Sequence, residues 1–165
     1  MLLDDSIVRG TTLRDSILQI VSRLKPKKII IVSSAPQIRY PDCYGIDMSK
    51  MKEFAAFRAL VSLLEETGQE YLLEEEYQDC ARPLAENPDV WTNPVQKLYE
   101  TFPYEEISDQ IAKILTPSNI KIPVEIIYQT LEGLHDSCPN NNGDWYFSGN
   151  YPTPGGTRVV LRAYM

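Results

Sequence analysis

Near its start the chain sets an apolar step, Leu2-Leu3, directly before a polar turn, then a helix-forming stretch, then a strongly apolar run. This order restricts the fold more than any other feature. Leu2-Leu3 reads as the last step of a buried strand, and Asp4-Asp5-Ser6 opens the turn. After Gly10 the apolar residues Leu13, Ile17, Leu18, Ile20, Val21 and Leu24 recur at helical spacing, and Thr12 with Asp15 has the form of a capping box. A helix is therefore predicted over residues 12–24. Lys25-Pro26-Lys27-Lys28 breaks it, and Ile29-Ile30-Ile31-Val32 reads as a short strand buried on both faces, as in a parallel sheet. Strand, loop, helix, strand is a βαβ unit. Its crossover is right-handed, and its first loop lies at the sheet edge where α/β proteins bind ligands.

Further along, Phe54, Phe57, Leu60, Val61 and Leu64 mark a helix over residues 49–66 that Thr67-Gly68 stops, and the segment to Ala81 continues helically. Pro83, Pro88, Pro94 and Pro103 predict irregular chain over residues 82–103, with room for one short helix. Ile107, Ile111, Ile114 and Leu115 define another helix, and residues 122–129 have the β-branched content of a strand. A short helix follows near residues 130–136. Asn140-Asn141-Asn142-Gly143 and Pro152-Thr153-Pro154-Gly155-Gly156 then punctuate a loop-rich tail.

The 165 residues, 43% hydrophobic with net charge −7, suit one compact domain or most of one. The longest branched-aliphatic run, residues 29–32, is far below the roughly 20 apolar residues of a membrane span, and no basic, apolar leader precedes it, so a cytoplasmic protein is expected. Seven carboxylates fall between Glu65 and Asp79 without a Lys or Arg among them, and they hold the whole acidic surplus. Such a run reads as a solvated helix face. No basic block accompanies it, so nucleic acid is not an expected partner. Cys43, Cys80 and Cys138 form no CxxC pair and read as free thiols, with Cys43 inert for want of a neighbouring histidine. His135 is the one histidine, suited to a helix end or the surface. The tryptophans and tyrosines read as packing residues.

The first loop carries the chemistry. A helix N-terminus offers unpaired N–H groups and about half a positive charge, so the turn over residues 8–12 can hold a phosphate. Gly10 lets the backbone come close, and Thr11 and Thr12 add hydroxyl donors. Asp4 and Asp5 can accept hydrogen bonds from a ribose diol or hold Mg²⁺, which prefers oxygen ligands. Alone, an Asp-Asp or a Gly-Thr-Thr is most often a capped turn; the joined string is far more specific.

Asp4-Asp5-Ser6-Ile7-Val8-Arg9-Gly10-Thr11-Thr12 resembles the phosphoribosyl-pyrophosphate (PRPP) motif of type I phosphoribosyltransferases, in the version found in the amidophosphoribosyltransferase family. Ser34-Ala35-Pro36-Gln37-Ile38-Arg39-Tyr40-Pro41 with Tyr44-Gly45-Ile46-Asp47-Met48 resembles a further block of that family. So do Thr130-Leu131-Glu132-Gly133-Leu134 and Phe147-Ser148-Gly149-Asn150-Tyr151-Pro152-Thr153, in the family's order.

The resemblance implies an α/β fold, a partial type I phosphoribosyltransferase fold with parallel strands, a helical insertion over about residues 54–102 and a loop-rich C-terminal extension over about residues 137–165. It implies that ammonia released from glutamine displaces pyrophosphate from PRPP to give phosphoribosylamine, with Mg²⁺ assisting and no covalent intermediate. On this reading Asp4 and Asp5 bind Mg²⁺ and the ribose hydroxyls. Ser6, Arg9, Gly10, Thr11 and Thr12 complete the PRPP site, Asp47 faces a nucleotide or caps a helix, and no residue is assigned as catalytic. The implied partners are PRPP, purine nucleotides, a glutaminase domain and further copies of the chain, because a cut parallel sheet exposes an apolar edge. A non-catalytic module that senses PRPP or purine nucleotides is the alternative.

The sequence also departs from the family. No cysteine precedes Cys43, so no glutaminase domain is expected within these residues, and the elements that precede the PRPP motif are missing. Some members hold an iron–sulfur cluster through cysteines. Here Asp42, Gly143 and Tyr146 stand at three of those positions, so no cluster is expected.

Overall fold

Three strands, β1 (Leu2–Asp4), β2 (Ile29–Ser33) and β3 (Val124–Tyr128), form one parallel sheet in the order β1-β2-β3 in a computed structural model that describes residues 1–43, 48–86, 89–141 and 143–165. Leu2 lies opposite Ile31 and Asp4 opposite Ser33; on the other side Ile29 faces Val124 and Ser33 faces Tyr128. Along β2 the side chains of Ile29, Ile31 and Ser33 are buried while Ile30 and Val32 are half-buried. The strand is thus less covered on its second face than a run of four branched residues suggests. The register neighbours of Val32 on that face, Leu3 and Ile127, are 77% and 45% exposed.

The connection from β1 to β2 is helical, so the βαβ unit forms, with one local difference. A π-helical turn, Leu13–Ile17, leads into α1 (Leu18–Ser22), and Thr12 is itself helical with no capping hydrogen bond. Asp15 bonds its neighbour Arg14 at 2.7 Å instead of closing a capping box. Helicity begins earlier than the Thr12-Asp15 pattern implies, because Arg14 N–H already donates to Gly10 O at 2.9 Å.

A 3₁₀ turn, Met51–Glu53, precedes α2 (Ala55–Thr67), and α3 (Tyr71–Glu86), α4 (Gln96–Glu100) and α5 (Tyr104–Leu115) follow. The predicted helix over residues 49–66 therefore starts later, at Ala55. α5 lies beside β3, and α2 packs along α5, burying Phe54, Leu60, Leu64, Ile107, Ile111 and Leu115. The stretch expected as an insertion thus supplies much of the core.

α3 runs through Pro83 to Glu86, where irregular chain was expected from residue 82. A proline removes one helical hydrogen bond. Here the helix persists because Cys80 is buried and Leu84 packs on the core beyond it. The tail contains α6 (Leu131–Ser137), α7 (Trp145–Ser148) and α8 (Pro154–Tyr164). α8 is the element that the turn signals at residues 152–156 concealed. Thr153 Oγ1 accepts the Gly156 N–H at 3.2 Å, and Pro154 sits in the first turn, where it suits a helix start. Thr157, Val160, Leu161 and Tyr164 form its buried face against α3, and Tyr164 Oη donates to Leu73 O at 2.7 Å. Among the described residues no helix is long and apolar enough to cross a membrane.

Most of the acidic run is solvated, as expected, but Glu76 is not: it is 5% exposed, and its Oε1 has no hydrogen-bond partner. Burial pushes its carboxyl up to about 7; Lys97 opposes the shift and Asp79 adds to it. A carboxyl raised in the folded state binds its proton more tightly there than in the unfolded chain. Its contribution is therefore most favourable below the ordinary carboxyl range and is lost as pH rises toward 7. Glu76→Gln is expected to stabilise the protein by on the order of 1 kcal/mol at pH 8, with little difference at pH 4.5; thermal melts at the two pH values check this.

Candidate functional site: a phosphate loop at the carboxyl edge of the sheet

β1 ends at Asp4, and the chain then turns over the carboxyl edge of the sheet before entering its helix at Thr11. Residues 4–13 together with Ile17 wrap a cavity of about 350 Å³. All seven residues expected in the PRPP site, Asp4, Asp5, Ser6, Arg9, Gly10, Thr11 and Thr12, line it. Asp47 lies outside the described residues.

The loop is held from several sides. Ser34 N–H donates to Asp4 O at 2.9 Å and Ala35 N–H to Asp5 O at 3.1 Å, which carries the β1–β2 pairing past the end of the strand. Ser34 Oγ also donates to Asp5 O, at 3.1 Å. Ile7 and Leu13 are buried beneath the loop, and Ala55 N–H donates to Val8 O at 2.7 Å. Arg9 lines the cavity, while its Nη2 reaches Glu53 Oε2 at 2.9 Å. Its guanidinium thus anchors the loop to the 3₁₀ turn. Gly10 has φ +70°, and a Cβ there would meet Leu115 Cδ2 at 2.7 Å, so its missing side chain makes room for α5 rather than for a ligand.

The polar lining divides into two halves. On one side the first intrahelical hydrogen bond is Arg14 N–H to Gly10 O, so the N–H groups of Thr11, Thr12 and Leu13 precede it in the first turn, where helical amides have no intrahelical acceptor. On the other side Asp4 Oδ1 accepts the Asp5 N–H at 3.0 Å and Asp5 Oδ1 accepts the Ser6 N–H at 2.8 Å. No N–H or cationic side chain among the described residues reaches the second oxygen of either. Asp4 is half-buried and Asp5 exposed. Burial raises the Asp4 carboxyl above its ordinary range; the Asp5 N–H pulls it back, and the neighbouring Asp5 carboxylate raises it again. Two adjacent carboxylates with free oxygens are a suitable donor set for a hard divalent cation. Amides on one side and carboxylates on the other can serve a phosphate and a hydroxyl-bearing or metal-bound group together.

The positions aligned with cluster-binding cysteines do not form a comparable donor set. Asp42 Oδ2 accepts Trp145 Nε1–H at 2.8 Å, Gly143 has no side chain, and Tyr146 O accepts the N–H groups of Arg39 and Tyr40 at 2.9 and 3.0 Å. The residues present do not fit an iron–sulfur cluster. Cys43 and Cys138 are exposed and Cys80 is buried. Proximity to Asp42 raises the Cys43 thiol, which keeps it from acting as a thiolate. His135 is exposed in the last turn of α6 and bonds Asp144 at 3.0 Å.

Part of the chain is similar in sequence to known proteins. The chain is 38% identical over 92 residues to the amidophosphoribosyltransferase of Escherichia coli (strain K12), covering 54% of this chain and 18% of that protein. It is 41% identical over 80 residues to that of Pseudomonas aeruginosa, covering 48% and 15%, and 42% identical over 57 residues to that of Schizosaccharomyces pombe, covering 34% and 10%. Over these stretches the chain is similar to amidophosphoribosyltransferases. It spans less than a fifth of the length of these relatives. No family model and no solved structure matches. The mixed α/β architecture with its parallel sheet is consistent with part of a phosphoribosyltransferase fold.

Three residues outside all the blocks that resemble the family also hold the loop: Glu53, Ala55 and Leu115. No local pattern marks them, since each meets the loop only through the tertiary fold. Gly10→Ala is expected to destabilise the chain by on the order of 1–3 kcal/mol, through both the positive φ and the clash with Leu115. Urea unfolding of the two proteins measures it.

Proposed function

We propose that this chain is the C-terminal part of a phosphoribosyltransferase domain that binds PRPP with Mg²⁺ and serves the amidophosphoribosyltransferase reaction of purine synthesis. The observation that carries this reading is the cavity enclosed by residues 4–13, whose lining holds both the first residues of a helix and two adjacent aspartates. In the reaction the nitrogen of ammonia forms a bond to the anomeric carbon of PRPP, the carbon–oxygen bond to pyrophosphate breaks with its electron pair, and the attacking nitrogen loses a proton. No covalent enzyme intermediate is required.

On this reading the amides of Thr11, Thr12 and Leu13 hold the 5′-phosphate, with the Thr11 and Thr12 hydroxyls alongside. Asp4 and Asp5 hold the ribose hydroxyls and Mg²⁺, and Ser6 links the two halves. Bound there, Mg²⁺ would supply positive charge against the leaving pyrophosphate. Arg9 acts through its tie to Glu53, and Gly10 sets the path of the loop over α5. The same proposal includes Asp47 as a nucleotide contact, residues 54–102 and 137–165 as insertion and extension, a cytoplasmic setting, a glutaminase domain as the source of ammonia, purine nucleotides as further ligands, and self-association.

Calorimetry of the 165-residue chain with PRPP and Mg²⁺ tests the site. Binding that weakens at least about tenfold in Asp4→Asn and in Asp5→Asn is expected, since each removes a charged contact. Wild-type affinity in both variants rejects the site. A pyrophosphate-release assay with ammonia then separates turnover from a module that binds without chemistry.

A further inference from the structure

Tyr128 is 7% exposed, and its hydroxyl is buried with no hydrogen-bond partner among the described residues. Buried polar groups nearly always have partners, and an unmade bond costs about 1–3 kcal/mol, so this one calls for a reason. Its place in the sheet supplies one. Tyr128 is the last residue of β3 and pairs with Ser33, and Ser33 pairs with Asp4. Register partners project from the same face, so Asp4 and Tyr128 stand on one side of the sheet at its carboxyl edge, their backbones about 10 Å apart across β2. Ser33 is the register residue between them, and its hydroxyl is committed to Ala35 O, to which it donates at 2.8 Å.

The other nearby hydroxyl is already committed. Tyr104 Oη accepts the Gln37 N–H at 2.9 Å and donates to Gln129 O at 3.0 Å. Asp4 is not saturated, because only Oδ1 receives an N–H. An unpaired buried donor and a carboxylate whose second oxygen receives no N–H therefore belong to one face of the sheet, two strands apart. We propose that Tyr128 is a positioning residue whose hydroxyl donates to Asp4 as ligand binds, fixing the carboxylate that holds the cation and the ribose hydroxyls. This inference rests on the PRPP reading above. Burial first, then Tyr104 and Asp4, push the phenol far above its ordinary range, so it stays a donor at any physiological pH. β2 and β3 fix the backbones; side-chain torsions of Asp4 and Tyr128 close the gap.

The test is a double-mutant cycle on the 165-residue chain, read as PRPP affinity in Mg²⁺ by calorimetry. Tyr128→Phe is expected to weaken binding about tenfold, the size of a hydrogen bond to a charged group. It is also expected to leave the melting temperature unchanged or higher, because the free protein loses no bond. In the Asp4→Ala background, which removes the acceptor, the same substitution is expected to cost nothing further, whereas in the Asp5→Ala background the tenfold loss persists. A merely structural role gives the same loss in every background and overturns the proposal, as does wild-type affinity in Tyr128→Phe. If the wild type binds Mg²⁺ but not PRPP, the PRPP reading fails while the same cycle on Mg²⁺ affinity still decides the link. Binding of neither overturns both.

Discussion

Every functional feature of this molecule depends on the pairing of β1 and β3 with β2. The register sets Asp4, Ser33 and Tyr128 at one level, so the three strands end together and the loop after β1 starts at a defined height above the sheet. The ladder does not stop with the strands. The amides of Ser34 and Ala35 take up the carbonyls of Asp4 and Asp5, so the acidic pair is fixed through its backbone and its carboxylates stay available. At the far end of the loop Gly10 rests on Leu115, which makes the position of α5 a condition for the helix start that offers its amides. Sheet and helix thus hold the two halves of the site from opposite ends, and the spacing between carboxylates and amides follows from the packing of α5 against β3.

The loop after β2 is built differently, from polar groups that are buried and satisfied. Gln37 is 1% exposed; its Nε2 donates to Tyr104 O at 2.9 Å and Ser108 Oγ at 2.8 Å, which orients Oε1 toward Arg39. The Arg39 guanidinium lies between the rings of Tyr99 and Tyr104, 4.8 and 5.0 Å from their centroids. Tyr99 Oη closes the knot by donating to Arg39 O at 3.1 Å. Such a network is satisfied by one arrangement of its members only, so it selects a single packing of α4 and α5 on this loop. No local pattern in the sequence marks this network, because Gln37 and Arg39 meet Tyr99, Tyr104 and Ser108 only through the tertiary fold.

What could be read in advance was local. The string over residues 4–12 announces its chemistry because its groups lie within one turn of each other, and the periodic apolar positions of α2 and α5 announce helices for the same reason. The failures share the opposite property. Glu76 looks like one more solvated carboxylate until α3 is placed against its neighbours, and Pro83 looks like a stop until burial of Cys80 and Leu84 outweighs its lost hydrogen bond. Pro154-Gly155-Gly156 has the composition of a loop and also that of a helix start; the buried face at Thr157, Val160, Leu161 and Tyr164 decides between them. Thr12 with Asp15 is the reverse case, a correct local pattern overruled because the turn at Gly10 lets the helix begin sooner.

The C-terminal extension is joined to the loop after β2 by several hydrogen bonds, and their number follows from their strength. A protein hydrogen bond nets only about 1 kcal/mol because water competes for both partners. One such bond would leave the segments free to part. The chain instead distributes the task. Trp145 reaches Asp42, Tyr146 O receives two backbone amides, Tyr151 Oη reaches Pro41 O, Asn93 holds Gly149 O at 3.2 Å and Gln96 holds Ser148 O at 2.7 Å. Asn93 and Gln96 belong to the proline-rich stretch, so that stretch fastens the extension as well as covering the core. Attachment of this kind depends on burial that keeps water from each bond. It therefore rests on the joint packing of these segments, and not on any single contact.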